Sequence, residues 1–515
     1  MCFSLIRRFD KIVNIQKMRK RFEQQNTLDA DLIPDIEFDQ RSRHQLPQLL
    51  AGLQHIFVTP DLNEAVFEIL ERKILGGKKK TGRPGMSLWE ILVLGAVRLN
   101  MNHDYDAVHD LANHHEKVRG IMGVQTRKVF DSGKNYGLQT LKDNVSLLDE
   151  VTLQEISELV VKAGHQLKKK ESAKDSSLAL NLKTDTYAVE TTVHFPTDIN
   201  LLWDSVRKCL DTIEHILKQT DLETWRKYKD WFRKVKRAYR KVADIHRKKG
   251  ANYKERLKSA TQDYLSINRT LSDKIEQSRQ LLNASVVVNI ELMALQQELT
   301  FYHQMQDKHI DLVERRIIKG EKIPHSDKVF SIFETHTEWL QKGKPNNKVE
   351  LGHNVLITTD QYHFIVDHKV LEKEVDSQQP IELSNRLKTR FTDGYSLDSI
   401  SFDRGFYSSL AYKALSKDFA QLVMPKKGKQ TVVQQSAAAG KTFAGLRKKH
   451  SAVESNINEL EHSGVDKVPD KGIHGFKRYV ALGVLAYNIK RLGKLVMERK
   501  KSKAVSEIGS MRKAA

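Results

Sequence analysis

Cysteine is almost absent from this sequence: Cys2 and Cys209 are the two thiols in a chain of 515 residues. Two thiols cannot build a disulfide framework or a cysteine-based zinc site, so a reducing, intracellular setting is expected. Long apolar runs are missing as well. The longest, ILVLGAV from Ile91 and YVALGVLAY from Tyr479, fall far short of the roughly 20 residues a membrane span needs. The opening MCFSLIRRFDKIVNIQKMRKRF is basic but lacks the continuous apolar core of a secretory signal, and Met18 reads as the more natural first residue of a compact domain. Acid is also in deficit, with 65 Asp+Glu against 86 Lys+Arg and a formal net charge of +21. Such an excess points to a polyanionic partner, nucleic acid before anionic membrane. The remaining composition, 39% hydrophobic and 29% charged, is that of an ordinary globular chain with room for several domains.

Residues 18–175 read as an all-α N-terminal domain. QLPQLLAGLQHIF and the stretch from Asp61 to Leu75 carry helical patterns, and GGKKKTGRPGMS then breaks the chain with a basic turn. Ser87 and Glu90 have the spacing of a capping box ahead of the apolar helix LWEILVLGAVRLNM. A compact helical unit with a basic turn suits DNA binding, with Lys78, Lys79, Lys80 and Arg83 as phosphate contacts. His103, His109, His114 and His115 repeat no known metal-ligand spacing and fit exposed helix faces. KKKESAKDSS reads as a linker.

The stretch from Leu178 to Val193 has strand composition, rich in Thr, Val, Tyr and small residues, yet contains Asp185. A carboxylate in a buried strand costs several kcal/mol unless it is paired or holds a metal, so Asp185 calls for a reason. Phe195-Pro196-Thr197-Asp198 ends the strand and caps a helix. Residues 200–345 then form a helical, coiled-coil-like insertion. Within it Trp225, Tyr228, Phe232, Val235, Tyr239 and Val242 step by three and four like a heptad seam, and residues 221–250 hold twelve basic against four acidic side chains. Aromatic residues at this spacing are core more often than base-stacking platforms. VELGHNVLITTD and HFIVDHKVL suggest a hairpin turning at Gln361-Tyr362, followed by a helix near 380–391. SLDSISFD is a short strand ending on Asp403, RGFYSSLAYKALSK a helix, and DFAQLVMP a strand. AAAGKT lacks the opening glycine of a phosphate loop, because Gln435 holds that place. A helix from about Phe443 carries Glu454, YVALGVLAYNIKRLGKLVM is a buried helix, and 496–515 reads as a basic, disordered tail.

The order strand, insertion, two strands, helix, strand, helix, strand, helix is that of a ribonuclease-H-like sheet, whose first and fourth strands lie side by side. The fold class expected is therefore mixed α/β: a ribonuclease-H-like catalytic core split between 176–199 and 346–495, interrupted by the helical insertion and preceded by the all-α domain. Asp185, Asp403 and Glu454 would then meet at one sheet edge. Three such carboxylates can hold two Mg²⁺ ions, with Mn²⁺ as a substitute, for phosphodiester chemistry. Each acid also has a plainer reading. Asp403 equally suits pairing with Arg404 or capping a helix, and Glu454 suits an exposed helix face.

DTYAVETTVHFPTD, RRIIKGEKIPHSDKVFSIFETHTEWLQKGK with VELGH, SFDRGFYS, and HSAVESNINELEHSGVDKVPDKGIHGFKRYVALGVLAYNIKRLG, in this order, resemble the blocks of ISNCY-type insertion-sequence transposases. The similarity runs from about Met18 to Gly493 and includes GRPG with LWEILVLGAVRL. It implies an Asp-Asp-Glu catalytic core in which Asp185, Asp403 and Glu454 are the metal-binding triad. It further implies binding of terminal repeats in double-stranded DNA, cleavage at the element ends, joining of the 3′-hydroxyls to target DNA, and a homodimer in the synaptic complex. The setting would be the bacterial cytoplasm and nucleoid. One departure stands out. Many such transposases carry Tyr, Arg and Lys seven before, four before and seven after the glutamate, where this chain has Arg447, His450 and Glu461. Arg447, Lys448 and Lys449 are candidate substitutes for the missing contacts to DNA. The competing expectations are a catalytically inactive, transposase-derived regulator and a coiled-coil scaffold, the latter leaving the strand acids without a role.

Overall fold

Strand β1 (Leu178–Thr191) runs through the middle of a seven-stranded mixed sheet. Its β-branched and aromatic residues favour extended backbone, and Leu180, Leu182, Thr184 and Val189 are buried. The computed structural model describes residues 19–24, 32–39, 41–76, 85–124, 134–171, 177–220, 225, 227–284, 289–341, 349–426 and 441–514. The basic turn with Lys78, Lys79, Lys80 and Arg83, and most of the expected loop at 426–442, lie outside them. The chain divides into two compact units, Met1–Thr192 with Leu340–Ala515, and Val193–Trp339.

In the first unit, β3 (Val349–Thr359) lies antiparallel against β1, and β4 (Ile365–Val370) antiparallel against β3. On the other side β5 (Tyr395–Phe402) runs parallel to β1, and β6 (Gln421–Val423) parallel to β5. Short strands β2 (Glu338–Gln341) and β7 (Lys467–Val468) complete the sheet. The β3–β4 hairpin turns where expected. The Asp360 carboxylate accepts the Tyr362 and Phe364 N–H groups at 2.8 and 2.9 Å, and His363 takes a positive φ of 66°.

Among the described residues seven α-helices precede the sheet: α1 (Gln45–Val58), α2 (Pro60–Ile74), α3 (Leu88–Asn100), α4 (Tyr105–His114), α5 (Glu116–Ile121), α6 (Leu138–Val145) and α7 (Glu150–Glu171). The capping box forms as its spacing predicts, Ser87 accepting the Glu90 N–H and Glu90 the Ser87 N–H, and every residue of α3 is buried. Within the sheet region lie α12 (Gln379–Arg390), α13 (Ser409–Asp418), α14 (Lys441–His450), α15 (Ala452–Leu460) and α16 (Gly472–Ala514), the last four following β5.

The expected boundary near residue 175 does not separate compact units. Helix α16 packs on α1, α3 and α7 and also touches β4. Its apolar run, with Val480, Leu482, Leu485 and Ile489 all buried, has no solvent face, so helices cover one side and sheet the other. One continuous core results, shared by Leu49, Trp89, Leu356, Ile400 and Leu485. The expected disordered tail is also corrected, because α16 continues as helix through Ala514. Residues 496–514 contain no proline and are rich in Lys, Glu, Arg, Met and Ala, which propagate a helix already nucleated by packing.

The second unit is helical, as the insertion was expected to be, with bounds of 193–339 instead of 200–345. It contains α8 (Asp198–Leu217), α9 (Tyr228–Lys248), α10 (Tyr253–Ala284) and α11 (Ile290–Val313). Thr197 caps α8 by accepting the Asn200 N–H at 3.2 Å. The heptad seam is core: Trp225, Val235 and Val242 are buried, and Tyr228, Phe232 and Tyr239 pack against them. The Trp225 indole N–H donates to Ser278 Oγ at 2.7 Å. Among the described residues, no helix of either unit is long and apolar enough to cross a membrane.

Two stability predictions follow from this packing. Helices α1 and α16 cross where a Cβ on Gly493 would collide with the Gln48 carbonyl and one on Gly52 with the Ile489 carbonyl. Gly493→Ala and Gly52→Ala should each cost about 1–3 kcal/mol in denaturant unfolding. Gly445→Ala on α14, where a Cβ meets nothing within 4 Å, should cost nothing. Trp225→Ala should destabilise the helical unit by about 3–5 kcal/mol, since it opens a cavity and removes the donor to Ser278; an unchanged unfolding profile would refute the buried seam.

Candidate active site

The parallel pairing of β1 with β5 sets Lys183 opposite Ser401 and Thr184 opposite Phe402. Extending the same register by one step sets Asp185, in the middle of β1, beside Asp403, just past the end of β5. Asp185 is half-buried on β1 and accepts the Thr186 N–H at 2.8 Å. Asp403 is the first residue past β5 and precedes the 3₁₀ turn Arg404–Phe406. Its side chain makes no capping hydrogen bond, and among the described residues no cation forms a salt bridge with it. The plainer readings of Asp403 are therefore not realised. Glu454 lies exposed in the first turn of α15, a helix that packs on β1 and β3.

The electrostatics tie these acids together. Burial pushes the Asp185 carboxyl up to about 6, against the pull of the Thr186 N–H, and the charges of Asp403, Glu454 and Asp376 push the same way. Each of the three is thus close enough to repel the ionised form of Asp185. Asp376 was not expected. It starts the 3₁₀ turn Asp376–Gln378, accepts the Thr186 hydroxyl at 3.2 Å, and lies against Gly405, where a Cβ would stand 3.2 Å from its Oδ2. No spacing in the sequence marks it, because the turn between β4 and α12 alone brings it to this edge.

Two further groups border the acids. His450, the last residue of α14, shares a 3.0 Å hydrogen bond between Nδ1 and Ser401 Oγ, while its buried Nε2 has no hydrogen-bond partner among the described residues. Burial holds this imidazole below its ordinary value, although Asp403 and Glu454 pull it up and Lys183 pushes it down. Lys183, two residues before Asp185 on β1, donates to the Asp360 carbonyl at 3.2 Å. Its ammonium is held below the usual lysine range by burial, with Asp360 opposing and Lys449 reinforcing the shift. Arg447, Lys448 and Lys449 are exposed along α14.

The donors suit a hard divalent cation in kind, being carboxylates whose mutual repulsion a cation would relieve. Their spacing is open: among the described residues no three His, Cys, Asp or Glu side chains stand close enough to hold a metal ion. Asp403 and Glu454 are exposed side chains, free to change rotamer towards an ion. Comparison of the chain with protein-family models, with curated proteins and with solved structures gives no match.

The raised pKa of Asp185 predicts a pH-dependent stability. In divalent-free buffer its penalty is absent below the unfolded value near 4, grows as pH rises, and is complete above about 6. A rise from near 4 to about 6 corresponds to about 3 kcal/mol. Asp185→Asn should therefore stabilise the chain at pH 7–8, with the gain fading as pH falls towards 4. Equal melting of variant and parent at every pH would show that Asp185 is not strained.

Proposed function

We propose that this chain is a metal-dependent DNA strand transferase of the Asp-Asp-Glu class, the transposase of a bacterial insertion sequence. The observation that carries the reading is that the parallel β1–β5 register, ending at Thr184 and Phe402, leads directly to Asp185 and Asp403, with the charges of Asp403 and Glu454 both acting on the Asp185 carboxyl. The strand order β4-β3-β1-β5-β6, antiparallel then parallel about β1, supports a ribonuclease-H-like core. The net charge of +21 supports DNA as the partner.

On this reading Asp185, Asp403 and Glu454 hold Mg²⁺, for which Mn²⁺ can substitute. The bound metal would supply an activated water or 3′-hydroxyl and charge stabilisation at the scissile phosphate. Asp376 adds negative charge behind Asp185 and orients Thr186 through its 3.2 Å hydrogen bond. His450 borders Asp403 and Glu454, anchored to Ser401 through Nδ1 and with its imidazole held below its ordinary value by burial. It stands where related enzymes have arginine, and Arg447, Lys448 and Lys449 on the exposed face of α14 carry the phosphate contacts instead. The outcome is cleavage at the terminal repeats and transfer of the 3′ ends to target DNA. A homodimer pairs the two ends, and the enzyme works on the bacterial nucleoid in the cytoplasm.

The test separates catalysis from binding. Asp185→Asn, Asp403→Asn and Glu454→Gln should each abolish end cleavage and strand joining, measured on labelled DNA carrying the element's own ends with Mg²⁺ and with Mn²⁺. Gel shifts should show end binding retained or tightened, because a negative charge facing phosphate is removed. The losses should not add, since one missing ligand already disassembles the site. Full activity in Glu454→Gln would break the triad, whereas a parent chain that binds ends and never cuts them would be an inactive regulator.

A further inference from the structure

Four consecutive heptads in the helical unit repeat one tripeptide: Trp225-Arg226-Lys227, Phe232-Arg233-Lys234, Tyr239-Arg240-Lys241 and His246-Arg247-Lys248. The first three aromatic positions face inward, Trp225 being buried and Phe232 and Tyr239 packed against the same core. Seven residues turn a helix through almost two full turns, so equivalent positions lie nearly in line, about 10.5 Å apart. With the aromatic line in the core, Arg233, Arg240 and Arg247 and the lysines that follow each of them on α9 project outward as two parallel lines. Arg233 and Arg247 are 73% and 74% exposed, Lys241 is 58% exposed, and Lys234, Arg240 and Lys248 are exposed as well.

Helix α9 carries nine Lys and Arg against two acids, Asp230 and Asp244, a local excess of seven. The carboxylates that meet the lines do so in solvent. Asp230 pairs with Arg233 at 3.1 Å, Asp244 with Arg247 at 2.8 Å, and Asp263 of α10 with Lys241 at 3.0 Å. Exposed pairs of this kind are worth about 0–1 kcal/mol and exchange readily for a stronger anion. Among the described residues no carboxylate pairs with Arg237 or Arg240.

We propose that the Arg–Lys face of α9 is a second DNA-binding surface, one that tracks the phosphate backbone of duplex DNA without reading sequence. From Arg233 to Arg247 the arginine line spans about 21 Å, the axial length of about six base pairs. Arginine suits phosphate because its planar fork donates two parallel hydrogen bonds. An anionic membrane fits less well, because an interfacial helix needs a free apolar face and the apolar face of α9 is the core of its unit. The proposal rests on the reading of DNA as the partner, and it assigns the helical unit a share in holding that DNA.

The experiment uses the full chain and a random-sequence duplex of about three helical turns, so that neither the element ends nor a metal is needed. The variant Arg233→Gln/Arg240→Gln/Arg247→Gln should weaken binding on the order of 10²-fold at about 100 mM salt. The slope of log affinity against log salt should flatten by about 2–3, from the loss of about 0.9 per phosphate contact. The corresponding triple Arg→Lys variant should keep most of that slope. An unchanged melting midpoint is expected, because the substituted side chains are in solvent. An unchanged affinity and slope in the glutamine variant would overturn the proposal, and so would a loss of binding confined to phosphatidylserine vesicles. The two readings fail separately. Salt-sensitive binding through α9 in a chain that never cuts refutes the catalytic reading alone, and end cleavage by a chain whose duplex binding ignores the substitutions refutes this one alone.

Discussion

The parallel pairing of β1 with β5 is the constraint on which the candidate site depends. The register holds Asn181 to Ser399 and Thr184 to Phe402, so residues 218 positions apart in the chain become lateral neighbours. Everything between must leave the sheet and return to it, and the helical unit Val193–Trp339 occupies most of that interval. The pairing is held from both sides. Thr184 is wholly buried, with its hydroxyl bonded to Thr358 at 2.9 Å, and Ser399 donates to Asn181 at 2.7 Å. A slip of one residue would turn Asp185 to the opposite face and part it from Asp403.

Around that sheet the first unit is organised by α16 and by a few buried charges. The glycine crossing of α1 and α16 lets two backbones approach closely enough to join the N-terminal helices to the core. Asn488 of α16 donates to Ser157 and to the Ile365 carbonyl, both at 2.8 Å, and accepts the Ile365 N–H at 2.9 Å, which links α7, α16 and β4 in one residue. The buried Arg98 guanidinium meets Asp470 at 2.9 Å and lies 4.1 Å from the centroid of the Tyr105 ring. Asp367 on β4 receives Arg386 and Arg390 from α12, and His165 meets Asp360 at 2.6 Å beneath the hairpin turn. Buried ion pairs add little net stability, but breaking one partner leaves a stranded charge, so they select a single arrangement of these elements.

Outside the buried ion pairs, the two signs of charge gather in different places. Acid concentrates where burial and mutual repulsion make it costly, at Asp185 with Asp376, Asp403 and Glu454. Base lies where solvent makes it cheap, on α14 and α9. An arrangement that sacrifices local stability to gather like charges has a physical use when a cation and a phosphate enter together.

How much of this was legible in the sequence follows from the range of each interaction. Local rules carried far. The capping box at Ser87, the β3–β4 hairpin, the inward heptad seam and the strand around Asp185 are set by neighbours within a few residues, and each appears where patterning placed it. Asp185 and Asp403 stood out in the sequence because a carboxylate inside or ending an apolar strand is costly, whereas Glu454, exposed on a helix, was singled out only by element order and the family resemblance. Asp376 was not, because its turn has no periodic signal and only the packing of β4 and α12 carries it to the edge. His450 was legible as a departure from a pattern and not as a buried imidazole, since burial is a property of what covers a residue. The unity of the N-terminal helices with the sheet, and the helical course of 496–514, escaped for the same reason. An apolar run shows that a helix must be buried on every side, but only the tertiary structure decides which surfaces, hundreds of residues away, do the burying.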